Sequence, residues 1–113
     1  MVAPSIGCAF YRSAAGREPV RDWLLTLPVA ARKTIGKDIN RIQFDWPIGK
    51  PLVDGFGGGL FEVRSTSDKV EYRVMFCVWG KTIVLLHGFK KKSRKAPADD
   101  IKLARARQKE VEQ

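Results

Sequence analysis

The chain is poor in the residues that most metal and redox chemistry uses. It has two cysteines, Cys8 and Cys77, and a single histidine, His87. That set is too small for a zinc site of the usual ligand spacing. Each cysteine lies in an apolar, strand-like stretch, which points to buried free thiols rather than a disulfide. Long apolar runs are also missing. None approaches the ~20 residues that a membrane-spanning helix needs. The N-terminus lacks a basic start followed by an apolar stretch, so no signal peptide is expected. These absences lead to the expectation of a cytoplasmic protein with no membrane partner, no metal and no cofactor. No internal repeat or low-complexity segment is apparent. Acid is the scarcer charge, with 12 Asp and Glu against 21 Lys and Arg, a net charge of +9.

What is present is enough for a core. The 113 residues are 44% hydrophobic, which suits one folded domain over residues 1–113 rather than a disordered chain. The cations are not scattered. Lys90, Lys91, Lys92, Arg94 and Lys95 follow directly on the apolar stretch Leu85-Leu86-His87-Gly88-Phe89. Cations this close repel one another unless an anion screens them, so a polyanion is the natural partner. The apolar lead-in would hold the cluster at the edge of a sheet.

Ile6 to Tyr11 reads as a first strand. Glu18-Pro19 opens a helix, because proline is tolerated in the first turn. Val20, Trp23, Leu24 and Leu27 share one face of it. Pro28 ends that helix and starts a second, which buries Ile35, Ile39, Ile42 and Trp46. Gly55-Phe56-Gly57-Gly58-Gly59 lacks a phosphate-loop lysine and a preceding strand, so it reads as a mobile connection. Leu60–Ser65, Val70–Trp79 and Thr82–Lys90 form three strands of an antiparallel meander, turning at Ser67-Asp68 and Gly80-Lys81. A last helix begins at Pro97-Ala98-Asp99-Asp100, with acids in its first turn. Its apolar stripe (Ile101, Ala104, Val111) is thin, which predicts loose attachment.

Strand alternation sorts the charges. Val70, Tyr72, Val74, Phe76 and Val78 share the core face, and Glu71, Arg73, Met75 and Cys77 the opposite one. Glu62 and Arg64 project with Arg73. Two registers remain open. In one, Glu62 faces Arg73 and Arg64 faces Glu71, giving two ordinary cross-strand ion pairs. In the other, Arg64 faces Arg73, and an anion is needed between them. A regular third strand places Gly88 opposite Arg73, leaving space above it. It aims Lys90 and Lys92 at the open face, turns Lys91 away and puts His87 on the core face. Arginine forks match phosphate oxygens, and such cations stabilise a pentavalent phosphate transition state. RNA brings its own 2′-hydroxyl nucleophile, so cleavage needs no metal.

At these residues the chain resembles the RelE/HigB toxins, the ribosome-dependent mRNA interferases of type II toxin–antitoxin systems, and within them the phage-associated HigB-like branch. The resemblance rests on Leu60-Phe61-Glu62-Val63-Arg64, Glu71-Tyr72-Arg73-Val74, Leu85 to Lys92 with Pro97 after it, and the basic helix Ile101 to Arg107. It implies an α+β, RelE-like fold: an N-terminal strand, a helical hairpin packed on the three-stranded antiparallel meander, and a C-terminal helix. It implies an endoribonuclease acting on mRNA in the ribosome, with rRNA contacts, and a cognate helix-turn-helix antitoxin. By resemblance Arg73 contacts the scissile phosphate, Lys91 is a second catalytic cation and Arg64 a neighbouring one. His87, Lys90 and Lys92 are further candidates, and Arg94 and Lys95 extend the RNA-binding surface. RelE has a lysine where Glu62 stands and a tyrosine near Pro97. Glu62 is then either a general base or a partner of Arg73. A twist or bulge at Gly88 would reconcile Lys91 with the alternation. The gyrase-inhibiting ParE toxins share this fold and form an alternative, as does a non-catalytic RNA-binding domain.

Overall fold

The structure is a computed structural model that describes residues 3–92, 94 and 97–113. Lys95 lies outside the described residues. The elements follow in the order β1 (Gly7–Phe10), α1 (Pro19–Leu25), α2 (Val29–Asp45), β2 (Val53–Gly57), β3 (Leu60–Ser67), β4 (Val70–Trp79), β5 (Thr82–Lys90) and α3 (Ala98–Val111). Among the described residues, no helix is long and apolar enough to cross a membrane.

Proline sets the helical hairpin. Pro19 occupies the first turn of α1, where a missing N–H leaves no bond unmade. Pro28 caps the start of α2. Ala31, Ile35, Ile39 and Ile42 recur at helical spacing and are all buried. With Val20 and Leu27 they pack on Val63, Tyr72, Val74, Phe76, Ile83 and Leu85 of the sheet. Trp46 joins this core edge-on to Phe61 and Phe76. Ile35 has no exposed surface, so its truncation to alanine should cost about 2–5 kcal/mol.

Among the described residues the sheet has five strands in the order β1-β5-β4-β3-β2. The expected meander, β3-β4-β5, is its centre. β1 adds in parallel beside β5, and β2 adds antiparallel beside β3. A parallel partner reached through a helical crossover leaves no local turn signal, which is why the three-stranded expectation fell short. The glycine-rich segment is likewise not a loose connection. Its first half is β2, and Gly57, Gly58 and Gly59 turn at positive φ into β3, a conformation that glycine adopts without strain.

Two details set which side chain faces where. The β3–β4 turn sits at Asp68 and Lys69, both at positive φ, one residue later than expected. Ser67 therefore pairs with Val70, and Arg64 lies directly opposite Arg73. In β5 the register runs regularly from Trp79–Thr82 to Phe76–Leu85, then jumps to Met75–His87. Leu86 is the extra residue of a bulge, and everything after it changes face.

α3 lies across the opposite face of the sheet from α1 and α2. Ala104 packs with Leu60, Met75, Cys77 and Leu86 in a second core cluster. The attachment is not loose, contrary to the thin apolar stripe. Arg105 donates to the carbonyls of Phe56 and Gly57, Gln108 to that of Gly58, and Arg107 to that of Leu86. The Tyr11 hydroxyl donates to Glu110. Polar side chains thus do much of the fastening that apolar area does elsewhere. Part of the face expected to be open is covered as a result. Cys77 is buried there, and burial pushes its thiol up to about 11. Cys8 is free too, but it is exposed on the edge strand β1 rather than buried.

Candidate functional site

The uncovered part of the α3-side face carries a charged cluster. Pairing places Asp54 beside Glu62 and Arg64 beside Arg73 on adjacent strands. Like charges are directly opposed, and carboxylates of the chain itself stand between them. Glu62 Oε2 lies 3.4 Å from Arg64 Nε, and Glu62 Oε1 lies 3.6 Å from Arg73 Nε. Asp54 accepts from Arg64 at 2.8 Å, and Glu71 accepts from Arg73 at 3.0 Å. Three carboxylates therefore face two guanidiniums, and the anion that this register calls for is supplied by the chain itself.

Arg73 is the deepest member, with 4% of its surface exposed. Burying a guanidinium is tolerated only when it is paired and hydrogen-bonded. One terminal nitrogen donates to the Tyr72 carbonyl at 3.1 Å and the other to Glu71. Its Nε is buried and makes no hydrogen bond among the described residues, because Glu62 stands beyond hydrogen-bond range. The hydrogen bond and charge of Arg73 hold the Glu71 carboxyl below the usual carboxylate range, and Lys91 adds to that pull.

Arg73 and Glu62 line a cleft of about 520 Å³ around the end of β5. Gly88 to Lys92 form one wall, Trp23, Thr26 and Leu27 another, and Pro97 and Asp100 a third. The bulge at Leu86 corrects the lysine assignment. Lys90 pairs with Tyr72, whose side chain faces the helical hairpin. The Lys91 amide bonds the Glu71 carbonyl at 2.9 Å, and its charge acts on the Glu71 carboxyl. Lys91 thus acts on the Arg73 cluster through Glu71, and the shift originates at Leu86 rather than Gly88. Lys92 also lines the cleft. Arg94 is exposed and outside that lining.

Two further expectations change for the same reason. His87 is not on the hairpin-side core face. It pairs with Met75 and meets Asp100 of α3, Nε2 to Oδ1 at 2.6 Å, while its ring stacks on Phe89 at 5.6 Å. Gly88 does not leave space over Arg73. It faces α1, and a Cβ there would come within 2.3 Å of the Trp23 ring. Asp54, Asp100, Trp23 and Thr26 belong to the cluster or the cleft and were not among the site candidates from the sequence. Asp100 reads as a helix-dipole acid and Trp23 as a core residue. A glycine inside a strand signals close approach by another group, and that signal at Gly88 points to the Trp23 contact.

Comparison with known proteins adds one assignment. No curated protein matches the chain. The family model described as Phage derived protein Gp49-like (DUF891) matches residues 22–109, which include the charged cluster and the whole cleft lining. The chain belongs to this phage-derived Gp49-like family, a family of RelE/HigB-like toxin-type proteins.

Proposed function

We propose that this chain is the toxin of a type II toxin–antitoxin pair and acts as a metal-independent endoribonuclease on mRNA in the ribosome. The observation that carries this reading is Arg73, a buried arginine with an unbonded Nε in a cleft rimmed by Lys90, Lys91 and Lys92. An incoming phosphodiester offers that nitrogen the acceptor it lacks. Arg73 and Lys91 then stabilise the charge that builds on the phosphate oxygens. Arg64 holds the rear of the cluster through Glu62 and Asp54.

The reaction balances without a co-reactant. The RNA 2′-oxygen loses its proton and bonds to phosphorus. The bond from phosphorus to the 5′-oxygen breaks, and that oxygen takes up a proton. The products are a 2′,3′-cyclic phosphate and a 5′-hydroxyl. Glu62 and Asp100 are the carboxylates among the described cleft-lining residues. Asp100 is engaged with His87. Glu62 is therefore assigned as proton acceptor, released from Arg73 when phosphate takes its place. His87 stands outside the cleft lining but is held by Asp100, which lines it, and is assigned as proton donor to the leaving oxygen. The antitoxin partner in this reading is a helix-turn-helix protein with an acidic segment, which would also relieve the +9 charge.

Induced expression should arrest growth and leave transcripts cut at defined positions, mapped by primer extension. Arg73→Ala and Arg73→Lys should both abolish cutting, and circular dichroism on each checks that the fold persists. Uncut RNA together with inhibited gyrase supercoiling would replace this reading by a ParE-like one.

A further inference from the structure

The geometry points to Trp23 as a stacking platform for a nucleobase flanking the cut, with Lys90 on the phosphate of the same nucleotide. This inference rests on the RNA-cleaving reading and names how the site would hold its substrate. Trp23 is partly exposed and lines the same cleft as Arg73. Its ring rests where any residue larger than glycine at position 88 would collide with it. Tyr72 braces it edge-on, with ring centroids 6.2 Å apart. Thr26 Oγ1 donates to the Trp23 carbonyl at 2.6 Å and tightens the end of α1. The indole is thus held from two sides before any ligand arrives, which lowers the ordering cost of binding.

The bulge at Leu86 gives Lys90 its place in this arrangement. Lys90 pairs with Tyr72, the residue that braces Trp23, so cation and aromatic ring stand on one side of β5. That juxtaposition of a flat ring and a cation is what unstacked single-stranded RNA requires. Phe89, the other aromatic residue lining the cleft, is already stacked on His87. Stacking tolerates every base because each has a π-face, so Trp23 would position the strand without choosing its sequence.

The test uses the full chain carrying Trp46→Phe and Trp79→Phe, which leaves Trp23 as its single tryptophan. A fully 2′-O-methylated RNA oligonucleotide, which cannot be cut, is titrated at low salt while fluorescence is followed. A matched oligonucleotide with abasic positions serves as the comparison. Base-dependent quenching is expected, and it should be absent with the abasic strand. In the otherwise unaltered chain, Trp23→Leu should weaken oligonucleotide binding about 5- to 150-fold, the range of one lost base stack. Trp23→Phe should recover most of that, and melting midpoints confirm that each variant is folded. Equal binding by the parent and Trp23→Leu, or quenching that ignores the bases, overturns the platform while transcript cutting still upholds the nuclease reading. Absence of all binding overturns the platform as well. It overturns the nuclease reading only when induced cells also show no cut transcripts.

Discussion

Glu62 should contribute more to stability than any other carboxylate of the chain. Its side chain is 7% exposed and stands between two guanidiniums that the register sets face to face. Removing one member of a buried ion pair costs about 3–5 kcal/mol, because the remaining charge is left without compensation. Arg73 keeps Glu71 and Arg64 keeps Asp54, so Glu62→Ala belongs at the lower end, about 3 kcal/mol. For a chain of this size that is a fall of roughly 10–20 °C in Tm. Glu62→Gln should fall between, since it keeps an oxygen acceptor and loses the charge. The mechanism also predicts a rescue. With Glu62 gone, the Arg64–Arg73 repulsion is unscreened, so adding Arg64→Met should recover about 1 kcal/mol rather than lose more. Urea denaturation of the four members of this cycle measures both numbers. A Glu62→Ala loss below about 0.5 kcal/mol, the scale of ordinary surface changes, would refute the compensation argument. So would strict additivity with Arg64→Met.

Other expectations follow from the same geometry. Gly88→Ala drives a methyl group into the Trp23 ring and should destabilise by about 1–3 kcal/mol through overpacking, with Trp23→Leu in the same chain relieving most of it by urea denaturation. Arg73 lowers the Glu71 carboxyl below its usual range, so its stabilisation is present above the unfolded value of about 4.3 and is lost as pH falls through the folded one. Glu71→Gln should therefore lower Tm at neutral pH, with the difference closing in acid. Tyr11→Phe removes the bond to Glu110 at the end of α3 and should cost about 0.5–1.5 kcal/mol. Acceptance by Glu110 raises the Tyr11 phenol, so the parent should lose this advantage as pH climbs through the folded value, and Tyr11→Phe should not.

The helical hairpin and the core face were legible because they depend on spacing alone. Ile35, Ile39 and Ile42 repeat at helical period, and Tyr72, Val74 and Phe76 alternate, so burial follows without knowledge of the partner. The C-terminal helix was harder. Its grip on the sheet comes from Arg105, Gln108 and Glu110, and a polar residue in a sequence does not announce whether it meets water or a carbonyl. Partners distant along the chain were not legible at all. Neither the parallel β1–β5 pairing nor the Asp100–His87 contact leaves a local mark.

The register of the site shows the limit most sharply. The Gly80-Lys81 turn carries its own signal and lies where the sequence puts it, so that Trp79 pairs with Thr82. The other turn uses Asp68 and Lys69 at positive φ, where lysine is uncommon, and a one-residue error there decides whether Glu62 or Arg64 faces Arg73. The bulge at Leu86 is quieter still. Ile83 and Leu85 fill one core while Val84 and Leu86 fill the other. A strand apolar on both faces has no alternation to break, so an extra residue within it is invisible to pattern. Yet that residue turns His87 toward Asp100, Gly88 toward Trp23 and Lys90 toward the helical hairpin. The arrangement of the charged wall is thus set by a buried leucine that carries no chemistry of its own.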